Sequence, residues 1–68
     1  MNERILILRR REKISQNELA FMCGYSSGAI VSMWENGTRT PPTLVLPALA
    51  KALNCTIDYL VTGENPRA

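Results

Sequence analysis

Residues 15–37 read SQNELAFMCGYSSGAIVSMWENG, and the fold turns on them. Ser15 has the character of a helix N-cap, because its hydroxyl can accept from backbone N–H groups that lack an intrahelical acceptor. Glu18, three residues on, completes a capping box. The spacing predicts a helix over 16–23 with Leu19, Ala20 and Cys23 facing inward, closed by Gly24 in the left-handed conformation that only glycine adopts freely. Tyr25 and Ser26 continue a short turn, and Ser27 reads as the next N-cap. A further helix is expected over 28–36, with Val31 and Trp34 inward and Asn36-Gly37 as its stop. Two short helices joined by a glycine-containing turn can cross steeply, which is the helix-turn-helix geometry.

Outward from this stretch the same periodicity continues. A first helix is expected from residue 2 or 3 to 12, with Ile5, Leu8 and Glu12 on one face. Two prolines exclude a helix over 38–42. A fourth helix is expected from 43 or 44 to 54, with Leu46, Leu49, Ala50 and Leu53 as core and Pro47 in its first turn. Thr56 caps a last helix over 57–61, ended by Thr62-Gly63. The reading is all-α, a bundle of five short helices in one domain over 1–63, with 64–68 a flexible C-terminal tail. Helices this short are marginal alone, so one shared apolar core must hold them.

Composition bounds the function classes. The 68 residues are 46% hydrophobic, enough for a single core at a length where about 60% of the unfolded surface can be buried. No apolar run approaches the roughly 20 residues that span a bilayer, and Arg9, Arg10 and Arg11 follow the short run at 5–8 rather than preceding it as in a signal peptide. The expected compartment is the cytoplasm. Cys23 and Cys55 form no CxxC pair and the chain has no histidine, so a metal site lacks ligands. The cysteines read as small buried thiols, with a disulfide as the alternative. Without histidine, a glycine-rich phosphate loop or paired carboxylates, no catalytic constellation assembles, and neither enzyme activity nor a cofactor is expected. Net charge is only +2, but Arg4, Arg9, Arg10, Arg11 and Lys13 gather around a single acid, Glu12. Such a cluster fits nucleic acid and a solvated helix face equally well.

Several short elements then fall in one order: Leu8-Arg9, Ser-Gln-x-Glu-Leu-Ala at 15–20, Trp-Glu-Asn-Gly at 34–37, Pro41, Leu-Ala-Lys-Ala-Leu at 49–53, and Ile-Asp-Tyr-Leu at 57–60 before Gly63. Together they resemble the lambdoid phage repressor and Cro family, the Xre-type helix-turn-helix regulators, over residues 3–63. The resemblance implies a lambda-repressor-like fold, with the third helix lying in the major groove of double-stranded DNA. It implies a transcriptional regulator of phage or prophage type that reads a palindromic operator as a homodimer. Gln16 would bond a phosphate and reach an outer base. Asn17, Ser27, Asn36, Thr38 and Arg39 would line further phosphate contacts, with Arg10 the best basic candidate beside them and Arg11 and Lys13 next. Arg9 and Glu35 would form a structural ion pair, and Ile57, Tyr59, Leu60 and Val61 a dimer surface.

Two departures from the family pattern stand out. The reading helix presents Gly28, Ala29, Ser32 and Met33 at its outward positions, none able to make the bidentate contacts that distinguish bases. The turn also carries one extra residue between Gly24 and Trp34, placed at Tyr25-Ser26. Leu6, Ile7 and Phe21 fall outside the core stripes, and they leave open an alternative function: a protein-interaction module, antitoxin-like, with weak or secondary DNA binding.

Overall fold

The computed structural model describes residues 1–64; residues 65–68 of the expected tail lie outside the described residues. The chain forms α1 (Asn2–Arg11), α2 (Gln16–Met22), α3 (Ala29–Asn36), a 3₁₀ turn (Thr43–Val45), α4 (Leu46–Ala52) and α5 (Ile57–Thr62), with no strand among the described residues. Four helices fall where the periodicity puts them. The fourth starts later than expected, and Pro47 is the cause. In an α-helix its ring would meet the carbonyl of Thr43, four residues back. The chain therefore enters through 3₁₀ geometry, with the Val45 N–H on the Pro42 carbonyl at 2.9 Å, and turns α-helical only where Pro47 sits in the first turn.

Helices α1, α2 and α4 end in the same way. The residue after each C-cap is left-handed: Lys13 (φ 58°), Gly24 (φ 89°) and Asn54 (φ 56°). Each returns its N–H to the helix, and the next residue does so one step further back. In α2 these bonds are Gly24 to Phe21 at 3.0 Å and Tyr25 to Ala20 at 2.8 Å. Otherwise unpaired carbonyls are thereby satisfied at each sharp reversal.

Ile5, Leu8, Leu19, Ala20, Val31, Trp34, Leu49, Ala50, Leu53 and Leu60 form one buried cluster. Helix α3 packs on both α1 and α2, while α4 packs on α2 and α5. Trp34 is the largest buried side chain, met edge-on by the Tyr25 ring at 5.5 Å between centroids. Leu60 is completely buried, so its expected place on a dimer surface is corrected: it anchors α5 to the core. Leu6 is half-buried rather than exposed, and so is Glu12, expected on the core face.

The basic cluster of α1 is largely consumed by the fold. Arg4 donates from Nε and Nη2 to the carbonyls of Leu60 (3.1 Å) and Val61 (3.0 Å) near the end of α5. Arg11 donates from Nη2 to the carbonyls of Leu53 (2.9 Å) and Asn54 (3.3 Å) at the end of α4. A cation suits both places, because the helix C-terminus carries partial negative charge. Arg11 thus caps a helix, which removes the guanidinium expected at a phosphate. Arg10 is exposed and makes no side-chain hydrogen bond to a described residue.

Lys13 holds a conformation that strains a side chain with a Cβ, by about 1–2 kcal/mol. Lys13→Gly is expected to raise stability by about 0.5–1 kcal/mol, the gain reduced by the freer unfolded chain. A higher urea midpoint at unchanged m-value would show it; a lower midpoint would mean the lysine makes a compensating contact.

Candidate nucleic-acid interface

The start of α2 is fixed by its cap. The Glu18 N–H donates to Ser15 Oγ at 3.0 Å, and the Ser15 N–H donates to Glu18 Oε1 at 2.8 Å. This places Gln16 and Asn17 in the first turn, beside the start of α3. Asn17 Oδ1 accepts from the Gly28 N–H at 2.8 Å. Gly28 itself is buried, and a Cβ there would lie 2.5 Å from Asn17 Oδ1 and 2.8 Å from the Asn17 nitrogen. The expectation that Gly28 faces a base is therefore corrected. It is the point at which the two helix starts touch, and only glycine fits. Gly28 also occupies the N-cap position of α3, so Ser27 is not the cap; its Oγ accepts from the Ala29 N–H at 3.2 Å from one position earlier.

With Val31 and Trp34 buried, α3 turns Ala29 to solvent, and Ser32 and Met33 are half-buried at its outer edge. At its far end Gly37 is left-handed (φ 84°). Asn36 Oδ1 accepts from the Thr38 N–H at 2.8 Å, which engages that amide, and the Arg39 N–H returns to the Met33 carbonyl at 3.2 Å. The side chains of Asn36, Thr38 and Arg39 stand exposed beside one another on this turn.

One carboxylate connects these parts. Glu35 receives Arg9 through Nε on Oε2 and through Nη2 on Oε1 (3.3 Å), and Gln16 Nε2 also donates to Oε1 at 2.9 Å. Arg9 Nη1 reaches on to the Ile14 carbonyl at 3.0 Å. The pair is largely removed from water, with side chains 14% and 7% exposed for Arg9 and Glu35. The ion pair was legible; its link to Gln16 was not, since nothing local in the sequence ties residue 16 to residue 35. Gln16 is thus held at the front of α2 with one amide hydrogen still unengaged.

Ile7 (64%), Phe21 (63%) and Met22 (54%) are exposed. Ile57 and Val61 are exposed on α5, and Tyr59 is half-buried against the core. The two cysteines are unbridged and half-buried. Burial pushes both thiols up; at Cys55 the Arg11 charge partly opposes this and Glu12 adds to it. Both thiols are therefore held in the protonated, less nucleophilic form near pH 7.

The family model described as helix-turn-helix matches residues 5–60. The chain is 45% identical over 64 residues to repressor protein C2 of Salmonella phage P22, covering 94% of this chain and 29% of that protein. It is 35% identical over 63 residues to the HTH-type transcriptional activator BcrR of Enterococcus faecalis, covering 93% of this chain and 30% of that one. It therefore spans under a third of the length of these two curated relatives. The crystal structure of the P22 c2 repressor in complex with synthetic operator 9T, in the presence of Tl+, superposes with a TM-score of 0.86. Identity there is 41%, over 93% of this chain and 94% of that one. The solution structure of the DNA-binding domain of the same repressor gives 0.85, at 39% identity over 98% and 87%.

Substitutions at Gly28, Glu35 and Arg9 test this geometry by thermal or urea unfolding. Gly28→Ala drives a methyl into the backbone of α2 and is expected to destabilise by about 1–3 kcal/mol. A neutral result would mean that the helix starts are not in contact. Glu35→Ala leaves Arg9 and Gln16 without their shared acceptor and is expected to lose roughly 3 kcal/mol, while Arg9→Met combined with Glu35→Met loses less than the two single changes added together. Strict additivity would show that the two residues do not interact.

Proposed function

The chain belongs to the Xre-type helix-turn-helix family of lambdoid phage repressors, and on that premise we propose that it is a sequence-specific transcriptional regulator. It binds a palindromic DNA operator as a homodimer, with α3 in the major groove. The observation that carries this reading is the superposition on an operator-bound repressor domain at 41% identity and a TM-score of 0.86. Repression is favoured over activation because the more similar curated relative is a repressor. The described residues hold no helix long and apolar enough to cross a membrane. A cytoplasmic, non-enzymatic regulator needs no more than the site described.

The roles follow from what each residue has free. Gln16, steadied by Glu35, offers its remaining amide hydrogen to a phosphate at the front of α2 and reaches an outer base. Asn17, Ser27, Asn36, Thr38 and Arg39 supply further backbone contacts at the two ends of α3, with Arg10 adding charge. Such contacts set register and depth without reading sequence. Ala29, Ser32 and Met33 face the bases: Ser32 can give or accept one hydrogen bond, while the other two suit thymine methyls. Specificity then rests on methyl contacts and on the shape of the duplex. One short helix reads few base pairs, so two copies about 34 Å apart are required, joined through Ile57, Tyr59 and Val61 of α5.

A second reading, a protein-interaction module of antitoxin-like kind, draws on the exposure of Ile7 and Phe21. Its surface includes the half-buried Leu6. Binding to duplex DNA across a salt series separates the two. A regulator loses affinity steeply as salt rises, and Arg10→Ala lowers the log–log slope by up to about one if that side chain touches a phosphate. Absence of binding to any duplex at low salt would overturn the regulator reading.

A further inference from the structure

Helices α2 and α4 pack on each other and leave a groove of about 420 Å³, lined by Met22, Ala48, Lys51 and Ala52. Met22 remains 54% exposed there. Phe21, the preceding residue, is 63% exposed and takes no part in the core. Lys51 carries the one charge on this lining. It is exposed, and its ammonium bonds to no other described residue.

A matching acid stands on the other helix. Glu18 lies one turn before Met22 on α2, so Phe21 and Met22 are both its neighbours on the helix surface. Glu18 is exposed; its Oε1 accepts from the Ser15 N–H, while Oε2 bonds to no described residue. No ion pair joins Glu18 to Lys51 within the chain among the described residues. The surface thus presents an acid on α2, an apolar middle at Phe21, Met22 and the groove, and a base on α4. Such a pattern is complementary to itself. Turned about a two-fold axis, it sets acid against base twice and apolar against apolar between them, as a contact made by the same residues on both sides requires.

We propose that the groove between α2 and α4 is a self-association surface on which a second copy of this chain docks two-fold. Phe21 enters the partner's groove, and Glu18 pairs with the partner's Lys51. The contact is separate from the α5 surface of the proposed dimer. It also leaves the DNA-facing front of α2 clear, because Gln16 stands about 9 Å from Met22 along the helix. On the regulator reading it joins operator-bound dimers on neighbouring sites and makes their binding cooperative. That consequence rests on the reading; the self-association itself does not.

Dilution of the ¹⁵N-labelled chain from millimolar to micromolar concentration distinguishes this surface from any α5 contact, since each reports at its own amides. The amide resonances of Phe21, Met22, Ala48, Lys51 and Ala52 are expected to move together along one saturable curve. Met22→Lys, at an exposed position, should abolish that movement and leave any concentration-dependent shifts on α5 as they are. Glu18→Gln keeps the capping box, which glutamine also completes, and removes the charge. An exposed pair lost twice, at roughly three-fold each, weakens the association constant about nine-fold. Lys51→Gln should do the same. The double variant should lose no more than the larger single loss, because either change alone already breaks both pairs. Amides of this surface that hold still on dilution overturn the proposal, and so does movement that persists in Met22→Lys. Additive losses from Glu18→Gln and Lys51→Gln overturn it as well, and these two variants decide if Met22→Lys does not fold. Failure to bind a duplex would overturn the regulator reading alone, since the dilution is run without DNA.

Discussion

The Glu35 carboxylate is the point on which the arrangement of the first three helices depends. It lies on the last turn of α3, yet it is held by Arg9 of α1 and by Gln16 of α2, and Arg9 extends the link to the Ile14 carbonyl in the loop between them. A desolvated ion pair is seldom worth much for stability alone, because removing two charges from water offsets most of their attraction. Here its value is directional. Apolar contact between short helices tolerates sliding and rotation, whereas a forked guanidinium on a carboxylate fixes both angle and distance. The front of α2 and the length of α3 are thereby held in one frame, as a surface meeting two strands of a duplex requires.

The same economy runs through the rest of the chain. A core of ten buried side chains is small, and the fold compensates by closing its polar ends. Arg4 and Arg11 cap helices far away in sequence, all five helices close on left-handed residues, and Gly28 lets α2 and α3 meet start to start. Each device keeps a backbone group satisfied that a longer protein would bury under additional structure. The consequence for function is that the basic character of α1 overstates the charge offered to DNA. Arg4, Arg9 and Arg11 are engaged internally, which leaves Arg10, Lys13, Arg39 and Lys51 as the side-chain cations free of such bonds among the described residues.

What could be read in advance divides along the range of the interactions. The capping box at Ser15 and Glu18, the turn at Gly24 and the inward pair Val31 and Trp34 were legible because each is decided within four residues. The Arg9–Glu35 pair was legible only through the family resemblance. Arg11 and Gly28 were misread because their partners lie 42 and 11 residues away. Leu60 was misread for another reason. The run Ile57, Tyr59, Leu60, Val61 is apolar all round, so periodicity alone could not say which member faces the core. The buried indole N–H of Trp34, without a partner among the described residues, leaves no trace in the sequence, since it is defined by what the surrounding backbone fails to supply.

The composition of α3 makes the frame around it more important than in a reader rich in glutamine or arginine. A bidentate side chain carries its own directionality and tolerates a small error in the depth of its helix. Ala29 and Met33 have none, and dispersion contacts to a methyl group weaken steeply over a gap of 0.5–1 Å. A helix that discriminates by such contacts must be set into the groove by something else. On the proposed reading, phosphate contacts at both ends of α3 would do so: Gln16 and Ser27 at its start, and the turn after Asn36 at its finish. These groups belong to a unit tied by Glu35 and Asn17, so an error at one end is transmitted to the other rather than absorbed locally. On that proposal an apolar reading helix and a rigid polar frame are one device, and the frame is the part that would make methyl contacts selective.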